Sequence, residues 1–209
     1  MRFADRSDAG KKLASALVRF GDADTVIYAL PRGGVPVGFE VAQVLGAPLD
    51  FIITRKIGHP RNPEYAVCAI TEEGEMLCDE QERATINPEW LAREAERQKE
   101  EACRRRKIYF GERAHISAKG KRAILIDDGA ATGLTLRAAM QSVRKENPKK
   151  LIVAIPVAPH DVVEILCREA DEVIVLENTE HFRGAVGAYY ENFSQVSDEE
   201  VIDLLHRTQ

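Results

Sequence analysis

Asp127 and Asp128 stand side by side at the end of the apolar run "AILI" and are followed at once by "GAATGLT". Adjacent carboxylates repel, so this placement calls for a ligand or a cation that uses both. The residues that follow are small, and Thr132 and Thr135 add hydroxyls where a helical stretch begins. Backbone N–H groups in such a turn can approach a phosphate closely, with the threonines as further donors. The triphosphate-binding pattern GxxxxGK[ST] is absent, because Leu134 rather than lysine follows Gly133. Acids beside a phosphate must face another part of the same ligand, and a pair of hydroxyls or a magnesium ion would satisfy them. A phosphorylated sugar with a free diol meets both halves of the motif. A plain strand-to-helix turn with an acidic cap would explain the small residues, but not two threonines, two glycines and two acids together.

Two other stretches carry cations. In "PRGG", Pro31 to Gly34, Arg32 offers a fork of donors for a second phosphate group, and Gly33 and Gly34 open backbone geometries closed to other residues. Arg55 and Lys56 close another apolar run, and the polar stretch Ile57 to Tyr65 after them, with His59, Arg61 and two prolines, is expected to act as a mobile lid.

These residues need a scaffold that brings them together. The runs "TVIYAL", "LDFIITR", "RAILID", "KLIVAIPV" and "DEVIVLE" are short, apolar and rich in β-branched residues, as strands covered on both faces are. Helix-length amphipathic stretches separate most of them, at Val35 to Leu45, Thr135 to Lys145 and Pro159 to Arg168, and an opening helix capped by Ser7 or Asp8 stops at Gly21. The pattern predicts an α/β fold, a doubly wound parallel sheet of about five strands. Ligands of such sheets bind beyond the carboxyl ends of the strands, and the three motifs fall there.

One stretch breaks the alternation. From about residue 58 to 120 the chain carries a hairpin around Glu73-Gly74 and a long charged helix beginning near Pro88, with the pairs Glu100/Arg104 and Glu101/Arg105 and a thin apolar stripe of Leu91, Ala95 and Ala102. It reads as an insertion in a single domain spanning 1–209, able to cover a site. The basic run Arg104 to Lys107 is expected to be a solvated helix face.

The 209 residues suffice for one well-cored domain, and the net charge of −5 argues against a general nucleic-acid or membrane-surface binder. No apolar run approaches the ~20 residues of a membrane span, and the charged N-terminus lacks a signal-peptide core, so the cytoplasm is the expected location. Four cysteines without a CxxC indicate neither a zinc site nor a redox motif and read as reduced thiols. Cys68 and Cys78 flank "TEEGE" and would face each other across a hairpin, which leaves a bridge between them open.

"ILIDDGAATGLT" resembles the phosphoribosyl pyrophosphate motif of the type I phosphoribosyltransferases, "PRGG" is similar to their pyrophosphate loop, and "TRK" with the stretch after it to their catalytic loop. The order also matches, over roughly Asp24 to Leu176, and the ending "VGAYYENFSQVSDEEV" is most similar to a bacterial branch whose acceptors are generally unassigned. The resemblance implies a Mg²⁺-dependent transfer of ribose 5-phosphate from 5-phosphoribosyl 1-pyrophosphate to a nitrogenous, nucleobase-like acceptor, with release of pyrophosphate. It implies that Asp127 and Asp128 hold the ribose hydroxyls, directly or through Mg²⁺. It assigns Gly129, Ala130, Ala131, Thr132, Gly133, Leu134 and Thr135 to the 5′-phosphate, and Arg32, Gly33, Gly34, Arg55 and Lys56 to the pyrophosphate. Where 6-oxopurine enzymes of this class carry an aspartate before the TG, this chain has Ala131, so this loop offers no carboxylate base. Acceptor recognition then falls to "NTEHFRGAVGAYYENF", with Phe182 and Tyr189 as the residues expected to stack on a base, Tyr190 and Phe193 as further candidates, and core packing as the competing explanation. Related enzymes are commonly dimers, so a homodimer is expected. The rival reading is a non-catalytic regulatory protein that binds the same ligand on the same fold. A phosphotransferase of the receiver or hydrolase type is disfavoured, since its chemistry gives no reason for the Thr-Gly cradle.

Overall fold

In the computed structural model, which describes residues 2–111 and 113–208, five strands form one parallel sheet. β1 (Thr25–Ala29) lies at its centre-left, flanked by β2 (Leu49–Phe51) on the edge and β6 (Arg122–Ile126) on the inner side, with β7 (Lys150–Pro159) and β8 (Glu172–Thr179) completing the order β2-β1-β6-β7-β8. The strands are apolar on both faces because both are covered. Ile27, Ile124 and Ile152 point to a layer made by α1 (Arg6–Leu17), α2 (Gly34–Leu45) and α7 (Asp198–His206). Val26, Leu125 and Val153 point to α5 (Leu134–Lys145) and α6 (His160–Glu169). The doubly wound α/β architecture is the one expected. No helix among the described residues is long and apolar enough to cross a membrane.

The second apolar run behaves differently from its reading as one strand. "LDFIITR" supplies β2, then leaves the main sheet at Ile52 and Ile53 and enters a separate antiparallel sheet as β3 (Thr54–His59). Arg55 and Lys56 therefore lie within that second sheet, not at the carboxyl end of a central strand. The chain stays buried from Leu49 to Ile53 while it changes sheets, so no polar residue marks the break. β4 (Asn62–Thr71) and β5 (Met76–Cys78) complete the second sheet, joined by the expected turn at Glu73-Gly74, where Gly74 has φ 95°. The expected lid, Ile57 to Tyr65, is thus part of a β3–β4 hairpin whose register shifts on both sides of Gly58, rather than a separate loop.

The second sheet is held between two helices. Ile57, Val67 and Ile70 pack on Leu91 and Ala95 of α4 (Pro88–Phe110), while Ala69 meets Leu134 and Ala138 of α5. A short helix, α3 (Glu80–Arg83), precedes α4. Cys68 and Cys78 sit opposite each other on β4 and β5 and form a disulfide, which corrects the reading of four reduced thiols, whereas Cys103 and Cys167 remain free.

Three local expectations also change. Asp5, not Ser7 or Asp8, caps α1 by accepting from the Asp8 N–H at 2.8 Å, and the Asp8 carboxylate reaches back to the Ala4 N–H at 3.0 Å. Arg104 pairs with Glu101 rather than Glu100. The basic run of α4 is not uniformly solvated, because successive helical residues rotate by roughly 100° and cannot share one face. Arg104 is exposed, but Arg106 turns inward to Asp50 at 3.0 Å.

Candidate functional site

The carboxyl ends of β1 and β6 and the inner side of the second sheet enclose a cavity of about 770 Å³. Asp127 and Asp128 lie where β6 ends. The "PRGG" turn after β1 packs directly on them: a Cβ on Gly33 would fall 2.0 Å from Asp128 Oδ2, and one on Gly34 would fall 2.9 Å from the Asp127 Cα. Only glycine permits this approach, so the two glycines of "PRGG" first serve to seat the turn against the acids. The Pro31–Arg32 peptide is cis. The loop after Asp128 ends at Gly133, whose φ of 72° turns the chain into α5. Gly129, Ala130, Ala131, Thr132, Gly133 and Thr135 all line the cavity. Leu134 does not; it is buried against Ala69 and Ala138.

From the facing side come Arg55 and Lys56 on β3, together with Glu64, Tyr65 and Ala66 on β4. Arg55 Nε donates to Gln98 Oε1 at 3.0 Å, and burial, then the neighbouring charge of Arg105, lowers its pKa. Arg32 reaches in from the first turn and lies 3.8 Å from Asp198 Oδ1. His59 sits at the hairpin tip, where Nδ1 accepts from the Arg61 N–H at 3.1 Å, and does not line the cavity.

Two cationic residues of the site had no signal in the sequence motifs. Arg105 lines the cavity from α4. Arg6, the first residue of α1, donates from Nε to Asp128 Oδ2 at 2.8 Å and from Nη1 to the Ser194 carbonyl at 2.7 Å. The cavity walls thus carry five cationic side chains against three carboxylates, in a chain whose net charge is negative. That local excess suits a polyanion.

Burial and mutual repulsion push the Asp127 carboxyl well above the usual carboxylate range. Burial also raises Asp128, with the nearby Arg6 charge opposing the shift. Asp127 Oδ1 accepts the Asp128 N–H at 2.8 Å, and Tyr190 Oη donates to the Asp128 carbonyl at 2.6 Å. Among the described residues no group of three or more His, Cys, Asp or Glu side chains could hold a metal ion. Two adjacent carboxylates fit instead the mode in which Mg²⁺ is held by one or two acids and by oxygens of the substrate.

On the third side, Gly184 to Gly187, Phe193, Gln195 and Val196 complete the wall. The expected acceptor residues Phe182 and Tyr189 do not line it. They stack on each other at 5.5 Å and pack on the cluster around Phe3 and Val157. Tyr189 is buried there, and its hydroxyl accepts from the Arg183 N–H at 3.1 Å. Phe193 is the aromatic residue of that stretch exposed to the cavity.

A family model described as the phosphoribosyl transferase domain matches residues 5–191. Two Mycobacterium tuberculosis proteins, from strains CDC 1551 and H37Rv and provisionally named phosphoribosyl transferases, are 42% identical over 208 residues, covering 98% of this chain and 46% of theirs. The chain therefore spans about half the length of these curated relatives. A crystal structure of a Thermus thermophilus protein is similar over 99% of both chains, with 42% identity and a TM-score of 0.82. The AQ2163 protein of Aquifex aeolicus shares the fold at 14% identity, with a TM-score of 0.53 over 85% of this chain and 76% of that one.

Proposed function

The chain belongs to the phosphoribosyl transferase domain family, of the type I kind, and on that premise we propose that it transfers the 5-phosphoribosyl group of 5-phosphoribosyl 1-pyrophosphate to a nitrogenous acceptor. The observation that carries this reading is the single cavity in which an acid pair, a small-residue turn with two threonines, and a cluster of cations meet. Each element suits one part of the donor.

The N–H groups of the turn from Gly129 to Thr135, with the two threonine hydroxyls, bind the 5′-phosphate at the start of α5, where the helix dipole favours an anion. Asp127 and Asp128 accept from the ribose 2′- and 3′-hydroxyls. The same two acids would hold a Mg²⁺ ion, which when bound would supply positive charge to offset that of the pyrophosphate. Arg32, Arg55 and Lys56 grip the pyrophosphate and stabilise the charge that grows on it as the C1′–O bond breaks. The acceptor nitrogen then bonds to C1′ from the opposite face, with inversion. Ala131 leaves the 5′-phosphate loop without a base, so the acceptor's proton leaves by water or by a group outside that loop. The acceptor lies against Gly184 to Gly187 rather than against Phe182 and Tyr189.

Incubation with 5-phosphoribosyl 1-pyrophosphate, Mg²⁺ and a panel of purines, pyrimidines and pyridines tests the proposal. Pyrophosphate release that depends on one acceptor is the expected outcome. Tight donor binding with no release for any acceptor would favour the regulatory protein instead.

A further inference from the structure

Arg6 makes three contacts at once. Its Nε donates to Asp128 Oδ2, its Nη1 donates to the Ser194 carbonyl, and the guanidinium carbon lies 3.8 Å from the centroid of the Phe193 ring. The Arg6 and Asp128 side chains are 12% and 14% exposed, so the pair sits at the cavity floor rather than on the surface. No other ion pair within 4 Å reaches Asp127 or Asp128 among the described residues. The Arg6 helix is itself braced: Ser7 Oγ donates to Glu40 Oε1 at 2.5 Å, and Gly10 brings α1 close enough to α2 that a Cβ there would lie 2.9 Å from the Val37 carbonyl. α2 begins at Gly34, the last residue of "PRGG". Arg6 thus reaches Asp128 from a helix fixed to the same turn that packs on Asp128.

The carboxylate of Asp128 is held by two contacts at one oxygen. Gly33 lies against Oδ2, and Arg6 donates to that same oxygen. Its main-chain carbonyl is meanwhile fixed by Tyr190, whose ring packs on Phe193 at 4.9 Å. Phe193 is therefore occupied by Arg6 and Tyr190, and serves more as a platform for the guanidinium than as a free stacking surface. Only a planar fork can bond in its own plane to two oxygens and lie flat on a ring. A lysine ammonium would keep the charge and lose the arrangement.

We propose that Arg6 is a positioning residue for ribose recognition: it fixes the orientation of the Asp128 carboxylate and offsets part of the charge of the acid pair, so that the ligand's diol meets a prepared acceptor. The inference rests on the phosphoribosyl reading, and its test separates the two. Wild type, Arg6→Met and Arg6→Lys are titrated, in the presence of Mg²⁺, with ribose 5-phosphate, 2-deoxyribose 5-phosphate and inorganic pyrophosphate. Arg6→Met is expected to lose about tenfold in affinity for ribose 5-phosphate, the scale of a charge-assisted contact. Its affinities for the deoxy sugar and for pyrophosphate should move by less than about twofold, so the preference for ribose collapses. Arg6→Lys should fall between. Equal losses for all three ligands would indicate a merely structural role and overturn the proposal, as would a wild-type ribose preference in Arg6→Met. Should Arg6→Met fail to fold, Phe193→Leu removes the platform under the guanidinium. A narrowed ribose preference in that variant supports the proposal, and an unchanged one overturns it. A wild type that binds neither sugar phosphate nor pyrophosphate would overturn the phosphoribosyl reading itself, and the Arg6 role with it.

Discussion

Buried acids on, or directly after, the two strands of the main sheet that flank β1 are treated in opposite ways. Asp50, in β2, is fully buried and surrounded by donors: the N–H groups of Phe51 and Ile116 at 2.7 Å, Arg106 Nη2 at 3.0 Å and His115 Nδ1 at 2.9 Å. Burial pushes its carboxyl up, but the hydrogen bond from His115, the Arg106 charge and the two amides outweigh it and leave the pKa lowered. Asp127 and Asp128, after β6, have each other for neighbours and one guanidinium between them, and both are raised. A saturated acid has no capacity left for a ligand and instead ties β2 to α4 and to the segment after it. An acid pair short of donors keeps that capacity, which the proposed phosphoribosyl donor, with its diol, would fill. The contrast is between an acid saturated by the fold and acids that the fold leaves short of donors.

Substitutions should act in opposite directions in the two places. Asp50→Asn removes the charge facing Arg106 and His115, and breaking a buried ion pair in this way costs about 3–5 kcal/mol. Chemical denaturation should show that loss, with ribose 5-phosphate affinity of the folded fraction unchanged; a lost affinity would mean that the two clusters are not independent. Asp127→Asn keeps the oxygen that accepts the Asp128 N–H and relieves the repulsion. Its melting temperature is expected to rise by about 2–4 °C, the size of a 1 kcal/mol gain in a chain of this length. A fall in melting temperature would show that the pair is stabilising after all.

Two further effects should follow pH. His115 donates to Asp50 and lies 2.8 Å from Glu146 Oε1, and the Asp50 hydrogen bond above all lifts it from 6.5 to about 9. A raised pKa means that its contribution is fully present below pH 6.5 and is lost as pH rises through about 9. Melting temperature should therefore decline across that window, and the decline should flatten in His115→Gln. Glu72 is raised by burial from 4.5 to about 7, with Oε2 unpartnered and Arg106 3.5 Å from Oε1. The same sign applies: stability is lost as pH climbs from 4.5 through about 7. Glu72→Gln should abolish that slope; a slope of the opposite sign would mean that Arg106 outweighs burial.

That the acid pair, the small-residue turn after it and "PRGG" meet in one place was legible in the sequence, because each is one short stretch after one strand. The main sheet was legible for the same reason, as strands covered on both faces read as continuous apolar runs. Arg6 was not, since it meets a partner 122 positions away and looks like any charged residue near a helix start. Arg105 was hidden in a basic run whose residues face different directions. The run "LDFIITR" concealed a change of sheet, because apolar periodicity reports burial and not which strand lies alongside. Phe182 and Tyr189 stack on each other inside the fold, while Phe193 faces the cavity, and residue type alone did not distinguish them.

The claim that the acids are kept for a ligand is tested most directly by calorimetric titration of 5-phosphoribosyl 1-pyrophosphate into the wild type and into Asp127→Asn/Asp128→Asn, with and without Mg²⁺. The account predicts Mg²⁺-dependent binding to the wild type, weakened at least about 100-fold in the double variant, on the scale of about 2.7 kcal/mol or more. Equal affinity in the folded double variant, or wild-type binding indifferent to Mg²⁺, would contradict it.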